Sequence, residues 1–95
     1  MSAYFVVDIK VLEAAAYEEY RKQAPPTIAA YGGKYLTRGG KVEALEGDWM
    51  PERFVILEFP SVAQFKKWYD SPEYNAIKPI RLRTTKSRAF VIEGV

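Results

Sequence analysis

Two segments of the chain repeat one pattern: an aromatic residue, three apolar residues, an acid and a further apolar residue. They are Tyr4-Phe5-Val6-Val7-Asp8-Ile9 and Phe54-Val55-Ile56-Leu57-Glu58-Phe59. β-Branched and aromatic residues dominate both, and both are strand length, so the pattern predicts strands over about residues 3–10 and 53–59. Alternation sends Phe5, Val7 and Ile9 to one face and Tyr4, Val6 and Asp8 to the other. In the second segment Val55, Leu57 and Phe59 oppose Phe54, Ile56 and Glu58 in the same way.

Each strand leads into a helical period. From about Glu13, Tyr17, Tyr20, Ala24, Ile28 and Tyr31 recur at three- and four-residue spacing and share a helix face. Pro25-Pro26 falls inside that pattern and predicts a kink or a split. Gly32-Gly33 predicts its end, because glycine takes the left-handed conformation of a helix stop. A second strand starts near Lys34, is interrupted at Gly39-Gly40 and resumes through Val42 to Leu45. Residues 47–51 read as a turn or loop, closing a hairpin with the strand at 53–59. Ser61 and Gln64 have the spacing of a capping box, ahead of a buried face of Val62, Phe65 and Tyr69 with Trp68 beside it. Ser71-Pro72 then starts another helix, since Ser caps and Pro suits the first helical position. Tyr74, Ile77 and Arg81 share one side of it, Pro79 distorts it, and a last strand covers about residues 87–93.

The order strand, helix, strand, strand, helix, strand predicts an α+β, ferredoxin-like βαββαβ fold. Right-handed crossovers give a four-stranded antiparallel sheet with helices on one face. At 95 residues the chain is expected to be a single ferredoxin-like domain. Phe5, Val7, Ile9, Val55, Leu57 and Phe59 then face the helices. Tyr4, Val6, Asp8, Phe54, Ile56 and Glu58 share the bare face, which is too apolar for a solvated sheet surface. A two-fold pairing of two such faces would bury it, so a homodimer through the sheet faces is expected.

Composition narrows the chemistry. There is no cysteine and no histidine, which excludes thiolate nucleophiles, Ser–His systems and Cys/His zinc sites. No EF-hand-like spacing of acids occurs, so no metal and no cofactor is expected. The longest apolar runs are strand length and nothing is expected to span a membrane; the start of the chain lacks a secretion signal, which makes the cytoplasm the expected location. The formal net charge of +2 is too small to imply nucleic acid. Lys78, Arg81, Arg83, Lys86 and Arg88 nevertheless form a stretch without an acid. It reads either as a solvated helix end and loop or as a rim that attracts anionic small molecules.

The chain resembles a bacterial domain-of-unknown-function family, number thirteen-thirty, of the dimeric α/β-barrel superfamily. The matching words are Tyr31-Gly32-Gly33-Lys34-Tyr35, Arg38-Gly39-Gly40, Glu46-Gly47-Asp48-Trp49, Arg53, Glu58-Phe59-Pro60-Ser61, Trp68-Tyr69-Asp70-Ser71-Pro72-Glu73-Tyr74 and Glu93-Gly94. The resemblance implies the same fold and a sheet-to-sheet dimer, a dimeric α/β barrel, and no established activity. The wider superfamily holds cofactor-free monooxygenases, isomerases and other small-molecule proteins, with pockets between sheet and helices or inside the barrel; fold alone transfers none of these functions.

Several residues are candidates for a site. Asp8 and Glu58 are the candidate acid–base groups, since a carboxylate in a partly apolar barrel has a raised pKa; the competing reading is an ion pair with Arg38, Arg53 or Arg88. Arg38-Gly39-Gly40 reads as a strand bend, or as a guanidinium and bare amides that hold a carboxylate or phosphate; Arg53 is a further candidate ligand contact. Trp68 and Tyr74 read as packing or as ligand contacts, with Arg81 two turns beyond Tyr74. Trp49 reads as a cap on the dimer edge or a lid. The function that emerges is a homodimeric small-molecule-binding protein, its pocket between sheet and helices, taking an apolar or aromatic acidic ligand. It is either a cofactor-independent enzyme of proton transfer or oxygenation, or a non-catalytic binding or structural dimer.

Overall fold

A computed structural model describes the whole chain, Met1–Val95. Its elements are β1 (Ala3–Val11), α1 (Ala14–Ala30), β2 (Lys34–Arg38), β3 (Arg53–Phe59), α2 (Val62–Tyr69), α3 (Pro72–Asn75), α4 (Lys78–Thr84) and β4 (Thr85–Glu93). The four strands form one sheet in the order β2-β3-β1-β4, and every neighbouring pair is antiparallel. This is the ferredoxin-like arrangement expected from the pattern, with the two repeated strands adjacent at its centre.

The helix-facing side of the sheet carries Phe5, Val7, Ile9, Val55, Leu57 and Phe59, all buried. They join Tyr17, Tyr20, Ala24 and Ile28 of α1, Phe65 and Trp68 of α2, and Tyr74 and Ile77 in one core cluster. Trp68, not Val62 or Tyr69, is the centre of α2's buried face: it is fully buried, whereas those two are half-buried. Its ring meets Phe5, Phe59, Phe65, Tyr69 and Tyr74.

Four local readings are refined. α1 runs through Pro25-Pro26 without splitting. The carbonyls that lose donors to these prolines belong to Arg21 and Lys22, on the exposed side, where they are open to solvent. Past Ala30 the helix stops as expected: Gly32 has φ +80°, its amide donates to Ala29 O at 3.1 Å, and that of Gly33 donates to Ile28 O at 2.9 Å, a Schellman stop. Beyond Gly39 no strand resumes, and residues 39–52 form a connection without regular structure. Ser61 Oγ accepts from the Gln64 amide at 3.0 Å, but the Gln64 side chain donates to Tyr31 O at 2.8 Å and so ties α2 to the end of α1 instead of completing a capping box. Pro79 stands in the first turn of α4 and separates it from α3, with the result that Arg81 still turns inward beside Tyr74.

Candidate functional site

The bare face is wider than the six residues of β1 and β3 suggest. In register, Ile92 of β4 stands opposite Tyr4, Phe90 opposite Val6 and Arg88 opposite Asp8, while Ile56 of β3 flanks Val6 on the other side. A continuous stripe of Tyr4, Val6, Phe54, Ile56, Phe90 and Ile92 therefore crosses the sheet. Phe90 and Ile92 are more than half exposed, at 57% and 54%. They escape a reading centred on the two repeated strands, although alternation within 87–93 carries the signal.

At one end of this stripe is a recess of about 510 Å³, lined by Val6, Asp8, Trp49, Phe54, Arg88, Ala89 and Phe90. That volume lies in the range of small-molecule sites. Its walls are apolar except for one ion pair, in which Arg88 Nη2 is 3.5 Å from Asp8 Oδ2. The Arg88 guanidinium also lies 5.3 Å from the centroid of the Trp49 ring, and Trp49 meets Phe54 edge-on at 5.9 Å. The loop tryptophan thus forms a wall of the recess, held by cation–π and aromatic contacts.

Glu58 is not part of this recess. Asp8 pairs with Phe54 in register, while Glu58 pairs with Tyr4, so four residues of β3 separate the two acids, about 13 Å at strand spacing. Glu58 contacts Lys34 Nζ at 3.4 Å instead of any arginine. Hydrogen bonding to Ser2, then the Lys34 and Tyr4 side chains, hold its carboxyl below the usual range. Two-carboxylate chemistry is therefore not assembled within one chain.

The space between sheet and helices, where a ligand pocket is expected from the sequence, is filled by rings. What remains is a crevice of about 20 Å³ among Phe5, Tyr17, Tyr20, Ile28 and Leu57, enough for about one water. Trp68 is packed, its ring centroid 4.0 Å from that of Tyr74 and its Nε1 donating to Thr27 Oγ1 at 3.0 Å. Tyr74 and Arg81 do meet, as their spacing suggested, but as part of a buried polar chain. The Tyr20 and Tyr74 hydroxyls are 2.8 Å apart, Arg81 Nε donates to Tyr74 Oη at 3.3 Å, and Arg81 Nη1 donates to Ser87 Oγ at 2.9 Å. Arg81 is only 3% exposed and has no carboxylate at ion-pair distance.

Burial, with the neighbouring Tyr74, raises the Tyr20 phenol well above its ordinary pKa, and burial likewise raises Tyr74. A raised phenol pKa adds nothing below about pH 10, where both states keep the proton, and lowers stability above it, where the unfolded chain releases the proton first. Unfolding free energy is therefore expected to hold level through pH 9 and to fall above about pH 10. Tyr74→Phe should lower the plateau by roughly 1–2 kcal/mol and make the alkaline fall shallower. Urea titrations between pH 8 and 11 check this; parallel alkaline slopes in wild type and variant would refute it.

Arg38, Gly39 and Arg53 gather at the β2 edge of the same layer. The Arg38 guanidinium lies 4.8 Å from the Tyr35 ring centroid and that of Arg53 lies 5.8 Å from that of Tyr17. Gly39 has φ +70° and its amide donates to Phe54 O at 2.9 Å. Gly39 therefore makes the strand bend, and its amide, taken up by Phe54 O, is not a bare donor for an anion. Gly40, beside it, is exposed. No group of three or more Asp, Glu, His or Cys side chains comes together as a metal site, and no helix is long and apolar enough to cross a membrane.

Solved structures with the same fold place this geometry among known proteins. A protein of unknown function from Rhodopseudomonas palustris superposes with a TM-score of 0.79 at 22% identity, covering 99% of this chain and 82% of that one. The cofactor-independent oxygenase SnoaB from Streptomyces nogalater superposes at 0.68 with 12% identity, over 99% of this chain and 93% of that one. A dimeric protein of unknown function and ferredoxin-like fold from Bacteroides fragilis superposes at 0.61 with 13% identity, over 98% and 96%. At these identities the likeness shows the fold alone. Among curated protein sequences nothing matches. The profile described as "Domain of unknown function (DUF1330)" matches residues 2–95, the whole of the strand–helix pattern included, and the chain belongs to that family.

Proposed function

We propose that the chain works as a homodimer, paired through the bare sheet faces, that binds an apolar or aromatic acidic small molecule in the recess. The observation that carries this reading is the composition of the recess: about 510 Å³ of apolar wall with a single charged pair, Asp8–Arg88. Arg88 is the group suited to the ligand's anion, and Asp8, released from Arg88 by that exchange, is the group placed to take a proton. The stripe of Tyr4, Val6, Ile56, Phe90 and Ile92 supports the dimer. A fold neighbour from Bacteroides fragilis is dimeric, and another is a cofactor-independent oxygenase; both are compatible with this reading. In such a dimer each recess is roofed by the partner's sheet, which excludes water and strengthens the electrostatics inside.

A second reading, binding without turnover, draws on the fact that both candidate acids are already ion-paired. Native mass spectrometry of the protein as isolated, followed by denaturing release, tests the ligand directly. A dimer carrying a stoichiometric aromatic or aliphatic acid is expected. Once the ligand is identified, Asp8→Asn separates the readings: catalysis predicts turnover reduced by 10²-fold or more with binding kept, whereas pure binding predicts no turnover in either protein. An empty monomer at high micromolar concentration would overturn the proposal.

A further inference from the structure

On the opposite side of the sheet, the crevice between α1 and the β2 edge is lined by three guanidinium groups, Arg21, Arg38 and Arg53, together with Tyr17, Tyr20 and Tyr35. Only Arg21 is neutralised, by Glu18, with Nε–Oε1 at 2.8 Å and Nη2–Oε2 at 3.3 Å. No carboxylate lies within ion-pair distance of Arg38 or Arg53. The Arg53 Nε–H is buried and is the one buried side-chain polar atom that no group of the chain itself partners. Buried donors are almost always paired, so a lone exception asks what accepts from it.

The surroundings hold this guanidinium in place. A Cβ on Gly39 would lie 2.7 Å from Arg53 Nη1, so a larger residue there would push the end of this side chain aside, and the left-handed φ of Gly39 itself favours glycine. Tyr17 underlies Arg53 and Tyr35 underlies Arg38. Aromatic faces orient a guanidinium without neutralising it. Two arginines without carboxylate partners line one crevice, and their guanidinium ends are the kind of groups that receive a planar or tetrahedral anion at its opening.

We propose that Arg38 and Arg53 form an anion-binding site for the carboxylate or phosphate group of a small molecule, at the mouth of the α1–β2 crevice. The crevice behind it holds about 20 Å³, so the anion sits at the opening and the rest of the ligand lies outside the core. This site is independent of the recess on the other face; either can fail without the other.

The probes are inorganic phosphate and benzoate, titrated into the ¹⁵N-labelled protein while the arginine Nε–Hε resonances are followed. The expected result is a saturable shift of the Arg53 Nε–Hε signal with at least one probe, and the tighter probe names the headgroup class. Arg38→Gln, an exposed position whose replacement leaves the core intact, should weaken that binding about tenfold. Arg53→Gln should do the same or abolish it, and Arg88→Gln on the opposite face should leave it unchanged. The proposal is overturned if neither probe moves the Arg53 signal at tens of millimolar. It is equally overturned if Arg38→Gln binds as wild type, or if Arg88→Gln weakens binding as much as Arg38→Gln does.

Discussion

Trp68→Ala is expected to destabilise the protein by about 3–5 kcal/mol. Trp68 is fully buried and contacts rings from three elements: Phe5 of β1, Phe59 of β3, and Phe65 and Tyr69 of its own helix, besides Tyr74 of α3. Removing a buried aromatic side chain of this size costs about 3–5 kcal/mol through lost transfer energy and an unfilled cavity. Thr27 Oγ1 would also lose the indole donor, although it keeps its own bond to Ala24 O at 2.8 Å. Against a total stability of about 5–15 kcal/mol for a small domain, that is a large share of the margin. Chemical denaturation with far-ultraviolet circular dichroism measures it. Trp68→Phe, which keeps an aromatic ring, should cost roughly half as much, and a loss below 1 kcal/mol for the alanine variant would mean that the ring cluster is not the core it resembles.

Phe90→Glu should separate the proposed dimer while the subunit stays folded. Phe90 is 57% exposed in the single chain, so the monomer gives up little packing. In a two-fold pairing the same residue occurs once in each copy. Each loses about 2 kcal/mol of apolar burial, and each places a carboxylate in the interface beside an Arg88 that is already paired with Asp8. At about 1.4 kcal/mol per factor of ten, the dimer is expected to weaken by 10³-fold or more. Sedimentation equilibrium across a dilution series reads this directly, with a melting curve of the same sample to show that the fold is kept. A variant that sediments with the wild-type mass would remove the bare face from the interface.

How much was legible before the structure differs by position. The two central strands and the face each residue occupies follow from alternation, a property of a few consecutive residues. The buried stripe of α1 and the stop at Gly32 are equally local. The run of α1 through Pro25-Pro26 was not legible, because the outcome depends on whether the freed carbonyls face water or core. Nor was the fate of Gln64, which has the spacing for its own helix cap yet binds Tyr31 O across a sequence gap of 33 residues.

The candidate sites divide along the same line. Asp8 and Arg88 each stood out as a charge in an apolar or basic context, but only the β1–β4 register sets them face to face. The location of open volume was read from the sequence between sheet and helices, and the structure leaves it on the other face. That choice rests on how the rings of Phe5, Phe59, Trp68 and Tyr74 interlock, since close packing consumes the interlayer space to within about one water.

The sequence by itself determined the order of elements, the ferredoxin-like topology, the two sheet faces and the absence of thiol and imidazole chemistry. All of these follow from residue type and short-range period. Tertiary structure alone decided which charges are partnered, which buried arginine donor the chain leaves without an acceptor, and on which side of the sheet the larger open volume lies. Those outcomes depend on distances between residues far apart in the chain, where a shift of a few ångströms makes or breaks an ion pair.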